Sequence, residues 1–266
     1  MTAYAIGDIQ GCYRGLCQLL DKLAPTQEDQ LWFCGDLINR GQDNVSTLRL
    51  LRELGQQARC VLGNHDLHAL AVHYGLRPAH RSDTLEDLLQ AQDRDDLFNW
   101  LRQQPLLVKD PQLKFCMVHA GIAPHWDIDT AEQAAKDLSE ALRGEFPETF
   151  LQTIYGNQPN HWQQVHTIEE KYRYAFNVLT RMRYLDAQGG LDFQYKGATA
   201  PQGLTPWFAY PRQEPLSYRV VFGHWSSIGG QSLGPQFFAL DTGCIWGGQL
   251  SALNLQTLAL TQVSCA

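Results

Sequence analysis

Gly63-Asn64-His65-Asp66 sets an amide, an imidazole and a carboxylate side by side, directly after the apolar run Arg59 to Leu62. Leu67, Leu70, Ala71 and Tyr74 then recur at helical spacing, so the polar cluster falls on a strand-to-helix turn. In an open α/β sheet such turns lie at the carboxyl edge, where ligands collect. The design recurs along the chain. Asp8 and Gln10 follow Ala3 to Ile6, Asp36 and Arg40 follow Leu31 to Cys34, and His119 follows Phe115 to Val118. His224 follows Arg219 to Phe222, and Asp241 follows Phe237 to Leu240.

Neighbouring strands lie about 4.8 Å apart, so side chains from successive strand ends can converge on one pocket. Mixed oxygen and imidazole donors suit Mn, Fe, Co or Zn and are poor for calcium. Asp8, Gln10, Asp36, Asn64, His119 and His224 are too many donors for one catalytic ion and fit two ions sharing a carboxylate. Such a pair, about 3.5–4 Å apart, lowers the pKa of a bridging water from roughly 15.7 toward 7 and clamps a phosphoryl oxygen. Two divalent ions less the charges of Asp8 and Asp36 leave about +2 for an anionic substrate. Arg40 adds a bidentate phosphate donor.

The elements that must position these groups are legible from periodicity. Leu16, Leu19, Leu20 and Leu23 mark a helix ending at Pro25, and Val45, Leu48, Leu51 and Leu54 mark another. Three strand-turn-helix units in succession predict a parallel sheet. Ser82 to Gln104 predicts two short helices. Thr130 with Gln133 resembles a capping box opening a helix that buries Ala134, Ala135, Leu138 and Leu142. The chain from there to Pro215 reads as aromatic-rich and irregular, with a further helix at Glu169 to Thr180. Leu250 to Leu255 and Leu258 to Gln262 predict a closing antiparallel hairpin.

The 266 residues, 44% hydrophobic and 18% charged, are enough for one large α/β domain. A net charge of -7 argues against a basic face for duplex nucleic acid. No apolar run reaches membrane-span length and no cleavable leader opens the sequence, so a cytoplasmic protein is expected. The seven cysteines form an odd set without a C-x-x-C pair, which fits a reducing compartment and no disulfide framework. His68, His73, His80, His125, His161 and His166 are read as surface or capping residues.

The ordered motif set resembles the metallophosphoesterase family that includes the Ser/Thr protein phosphatases. It comprises Gly7-Asp8-Ile9-Gln10-Gly11, Gly35-Asp36-Leu37-Ile38-Asn39-Arg40-Gly41, Gly63-Asn64-His65-Asp66, His119-Ala120-Gly121 and Gly223-His224. Further features are similar to the branch that splits diadenosine tetraphosphate symmetrically into two ADP. These are Leu67-His68, Trp126-Asp127, Thr180-Arg181-Met182-Arg183, Trp225 and Leu240-Asp241-Thr242-Gly243-Cys244.

The resemblance implies an α/β sandwich of mixed β-sheets flanked by helices, forming a single domain. Helical inserts at about 67–110 and 125–215 would form its cap. It places Asp8 and Gln10 at the first metal and Asn64, His119 and His224 at the second, with Asp36 bridging. His65 becomes the general acid, with Asp66 a candidate support, and Arg40, with Arg181 or Arg183, grips phosphate. Mn is the favoured ion, with Co and Mg also compatible. The implied substrate is a dinucleoside polyphosphate, and a nucleoside-tetraphosphate cap on RNA presents the same end. A phosphomonoesterase on the same scaffold and a catalytically weak nucleotide-binding module are the alternatives.

Two residues depart from the family pattern. Gln10 stands where the wider family has histidine, offering a neutral and weaker donor. Asn39 replaces the aspartate that pairs with the catalytic histidine in the protein phosphatases. An amide cannot stabilise an imidazolium by charge, which disfavours a phosphoprotein substrate. ADP is a far better leaving group than a serine alkoxide and needs a weaker acid. Tyr155, Trp162, Tyr172, Tyr174, Tyr184, Trp207, Phe208 and Tyr210 are read chiefly as the core of the cap, with base stacking open to some of them.

Overall fold

The computed structural model describes residues 1–265. Three strand-turn-helix units come first: β1 (Ala3–Ile6), α1 (Tyr13–Leu23), β2 (Gln30–Phe33), α2 (Asn44–Glu53), β3 (Ala58–Cys60) and α3 (Asn64–His73). Short helices α4 (Glu86–Leu89) and α5 (Arg94–Arg102) lead into strands β4 (Leu107–Asp110) and β5 (Phe115–Val118). Helices α6 (Ile128–Arg143), α7 (Pro147–Thr153) and α8 (Ile168–Arg181) follow, then strands β6 (Tyr184–Asp186), β7 (Leu191–Asp192) and β8 (Leu204–Pro206). The chain finishes with β9 (Arg219–Phe222), β10 (Ser232–Leu233), β11 (Phe237–Ala239), β12 (Gln249–Asn254) and β13 (Leu260–Ser264).

One sheet runs β13-β12-β1-β2-β3, with β1, β2 and β3 parallel as the three repeated units require. The other runs β10-β11-β9-β5-β4, with β5, β9 and β11 parallel. Alternate residues of each strand face opposite sides. Ala3, Ala5, Trp32 and Cys34 from the first sheet pack with Phe115, Met117, Val221 and Phe238 from the second, so the sheets stack face to face. Ile6, Leu31, Phe33, Cys116, Val118 and Phe222 point the other way and join the larger core. The mixed-sheet sandwich expected from the motifs is present, and the parallel strands of both sheets deliver their polar turns to a shared region.

Several local expectations change. Strand β4 is absent from the sequence reading because Leu107 to Asp110 is short and pairs locally with β5. Helix α6 is capped by the Asp127 side chain, which accepts from Thr130 N, so Thr130 lies inside the helix instead of capping it. The capping box occurs at α8, between Thr167 and Glu170. The segment read as irregular also holds a three-stranded sheet, β7-β6-β8. The reading of no disulfide fails for one pair. The register Gln249↔Ser264 folds the chain end back so that Cys244 and Cys265 bond, with Cα atoms 5.2 Å apart. Cys34, Cys60 and Cys116 are free and buried, as their apolar runs suggested. Among the described residues, no helix is long and apolar enough to cross a membrane.

Candidate metal centre

The first two family turns of the first sheet interlock through their backbones, and the third is tied to the second through the Asp36 and Asp66 carboxylates. Gln10 N donates to the Asp36 carbonyl at 2.8 Å, and Gly11 N to the Leu37 carbonyl at 3.0 Å. Gln10, Asp36, Asn39, Arg40 and His224 all carry positive φ, between 46° and 75°. Such backbone is strained for residues with a Cβ and persists where surrounding contacts over-determine it, typically at functional sites.

Asp36, His119 and His224 each offer a ligand atom, and these atoms lie within 4.8 Å of one another; all three residues are buried. His119 Nδ1 donates to the Cys34 carbonyl at 2.8 Å, which leaves Nε2, 3.4 Å from Asp36 Oδ1, facing the cluster. A second hydrogen bond of this kind orients a metal-ligating imidazole. Asp8 stands alongside, accepting from His224 N through both oxygens. Gln10 is 7% exposed and Asp241 5%. The Asn64 amide sits between the imidazoles. With its nitrogen turned inward it donates to His224 Nδ1 at 2.9 Å and to the Thr180 carbonyl at 3.0 Å, while its oxygen accepts from His65 N at 3.2 Å. Ligation through that oxygen requires the amide to turn over.

The charges press on one another. Burial, then the charges of Asp241 and Asp36, push the Asp8 carboxyl well above its usual range. Burial also raises Asp241. Burial opposes ionisation of Asp36 too, but the His119 and His65 imidazoles hold it at about 2. Burial drives His224 toward the neutral form, helped by the neighbouring Arg183 cation. His224 Nε2 is buried and has no hydrogen-bond partner among the described residues. A divalent cation would take up the imidazole lone pairs that His119 and His224 bring together with Asp36 and would neutralise the crowded carboxylates, so the donor set present fits the metal that the motifs imply.

The remaining expected residues separate. His65 Nε2 lies 3.9 Å from Asp36 Oδ2, at the rim of the cluster. Burial lowers its pKa, with Asp36 opposing. Asp66 does not reach that ring. Its carboxylate accepts from Leu37 N, Ile38 N and Gly63 N, pinning the second turn to the third. Burial and the Asp36 charge raise it to about 7.

Arg183 donates to the His224 carbonyl at 2.9 Å, and its guanidinium feels the charges of Asp36, Asp241 and Asp8. Arg181 points elsewhere, donating to Asn177 Oδ1 and Asn157 Oδ1 and stacking over Phe193. Arg40 donates to the Ser82 carbonyl at 2.7 Å and to the Ser82 hydroxyl. Asp83 was missed in the sequence, and His68, read there as a surface or capping residue, is its partner. Asp83 accepts from the Asn39 amide at 2.9 Å and bonds His68 Nε2 at 2.7 Å.

Residues 1–225 match the family model for calcineurin-like phosphoesterases. The chain belongs to that family. A curated relative from Cellvibrio japonicus (strain Ueda107), named symmetrical bis(5'-nucleosyl)-tetraphosphatase, is 47% identical over 100% of this chain and 99% of its own. One of the same name from Photorhabdus laumondii is 47% identical over 96% of this chain and 94% of its own. Among solved structures, one described as a candidate diadenosine tetraphosphatase is 26% identical, with a TM-score of 0.69, covering 99% of this chain and 93% of its own. A cold-active protein tyrosine phosphatase from a Shewanella species shares the fold at 18% identity, with a TM-score of 0.54, over 100% of this chain and 80% of its own. Within the phosphoesterase family, the buried Asp36–His119–His224 cluster lies where the strand-end motifs converge.

Proposed function

We propose that the chain hydrolyses diadenosine tetraphosphate symmetrically, releasing two ADP. The buried Asp36–His119–His224 cluster at the convergence of both sheets carries this reading, together with full-length similarity to relatives named for that reaction. Asp8, Gln10 and Asp36 would hold one divalent ion, and Asp36, Asn64, His119 and His224 the other, with Mn²⁺ favoured. Bound there, the ions would lower the pKa of water toward neutrality and offset phosphoryl charge.

The chain's own residues do the rest. Arg183, held against the His224 carbonyl, presents its cation to the phosphates beside the carboxylates. Arg40 contributes from the second turn, and Arg181 is assigned to the cap. Water forms a bond to an inner phosphorus and the central P–O–P bridge breaks. The leaving ADP oxygen takes the electron pair while His65 supplies a hydrogen bond or proton there. We assign the segment from α6 to β8 to the cap. Tyr174, Tyr184 and Trp207 are fully buried and serve as its core. Trp162 and Tyr210 instead line a cavity of 190 Å³ with His125, Gln163 and Gln188, which suits a nucleobase.

The test is the ratio of kcat/KM for diadenosine tetraphosphate to that for an aryl phosphomonoester, measured with Mn²⁺. A large preference for the dinucleotide is expected. A preference for the monoester would hand the site to a general phosphatase.

A further inference from the structure

Asn39 is fully buried, and its amide orientation is fixed by its partners. Two backbone donors, Arg40 N at 2.7 Å and Thr84 N at 3.1 Å, meet one end, which must therefore be the oxygen. The other end is the NH₂ group. One of its protons goes to Asp83 Oδ1 at 2.9 Å, and the nitrogen lies 3.4 Å from His65 Nδ1. A donor there needs an acceptor opposite, so Nδ1 offers its lone pair and the ring proton belongs on Nε2. That nitrogen faces Asp36 Oδ2, on the metal side.

The NH₂ end of the amide is held by Asp83, in the loop between α3 and α4, with its side chain 1% exposed. Its second oxygen bonds His68 Nε2 at 2.7 Å and accepts from His80 N at 2.7 Å. Burial would raise this carboxyl, but the hydrogen bonds from Asn39, His68 and His80 hold it at about 2, so it remains an acceptor. An aspartate at position 39 would instead demand a proton on Nδ1.

We propose that Asp83 is a positioning residue: through the Asn39 amide it fixes His65 as the Nε2–H tautomer, aiming that N–H at the leaving phosphate oxygen. The inference rests on the proposed function for the identity of that oxygen, and the tautomer itself follows from geometry alone. Asp83 thus answers, from a separate loop, the departure at Asn39. The carboxylate lies one residue further out and orients the imidazole by way of an amide.

Two readouts test it. In steady-state kinetics with diadenosine tetraphosphate, Asp83→Ala should lower kcat about 10–100-fold, as loss of such outer partners commonly does, with KM changed by less than about threefold. Asp83→Asn, isosteric and safer to fold, should lose about three- to tenfold, because it keeps one oxygen for the Asn39 amide. In ¹⁵N-histidine NMR of the metal-free full chain, His65 should show a bare Nδ1 and a protonated Nε2, and either variant should shift that ring toward a tautomer mixture. Wild-type kcat together with an unchanged His65 signature in either folded variant would overturn the proposal. If the wild-type enzyme does not release ADP, the functional reading fails, while the ring signature still decides the role of Asp83.

Discussion

His224 N donates to both carboxylate oxygens of Asp8, at 3.1 and 3.0 Å, across 216 residues of chain. Asp8 follows β1 and His224 follows β9, so this contact joins the polar edge of one sheet to that of the other. Each half of the metal centre therefore depends on the packing of both sheets. The approach is so close that a Cβ on Gly223 would lie 1.8 Å from Asp8 Oδ1.

Gly223→Ala should accordingly push the two edges apart. Overpacking of this kind destabilises by about 1–3 kcal/mol, so the protein should fold with a lowered Tm. Its Mn²⁺ affinity should fall at least tenfold in calorimetry. Wild-type affinity in the variant would show that the Asp8–His224 contact does not shape the site.

Asp8, Asp36 and Asp241 share one buried region, and the first and third are held above the usual carboxylate range. Divalent ions bound to the folded arrangement would relieve that repulsion. At 100 times its Kd, an ion should add about 2.7 kcal/mol of stability. Thermal unfolding should therefore shift upward with Mn²⁺ and return on adding a chelator. A melting temperature insensitive to both would contradict the metal assignment.

In the proposed first site Gln10 would supply a neutral amide oxygen where imidazole would bind a first-row ion more strongly. Gln10→His should tighten the first ion bound by about tenfold, while the ion held by His119 and His224 keeps its affinity. Calorimetric titration separates the two. Equal affinities in both proteins would mean that Gln10 lies outside the coordination sphere.

Asp83 makes a pH prediction with a definite sign. Its folded pKa, about 2, lies below the ordinary carboxylate value, so its contribution to stability is present above roughly pH 4 and lost as pH falls through about 2. The stability difference between the wild type and Asp83→Asn should shrink steadily from pH 4 to pH 2 in urea unfolding. A difference that stays constant over that range would contradict the bonding around Asp83.

What was legible in the sequence follows from where its signals are local. The first three units could be read because apolar runs end abruptly on Gly7-Asp8, Gly35-Asp36 and Gly63-Asn64, with helical spacing behind each. Asp83 could not, since an aspartate in a polar loop is usually a turn former, and only tertiary contact brings it to Asn39. Arg181 and Arg183 look equivalent as letters. Helix α8 ends at Arg181, however, and the extended Met182 turns the next residue toward His224. The left-handed backbone at Asp36, Arg40 and His224 gave no sign either, because sequence signals for that conformation come mainly from glycine and asparagine. Cys244 and Cys265 become partners only through the register of β12 on β13.

The central claim is that attack falls on an inner phosphorus, with His65 serving the leaving ADP. It is tested most directly by hydrolysing diadenosine tetraphosphate in ¹⁸O-labelled water with Mn²⁺ and analysing the products by mass spectrometry. The account predicts ADP alone, with one ¹⁸O on the terminal phosphate of one ADP per substrate consumed, and a fall in rate of about 10²–10⁴ in His65→Ala. Equal amounts of AMP and ATP, or a rate unchanged in His65→Ala, would contradict it.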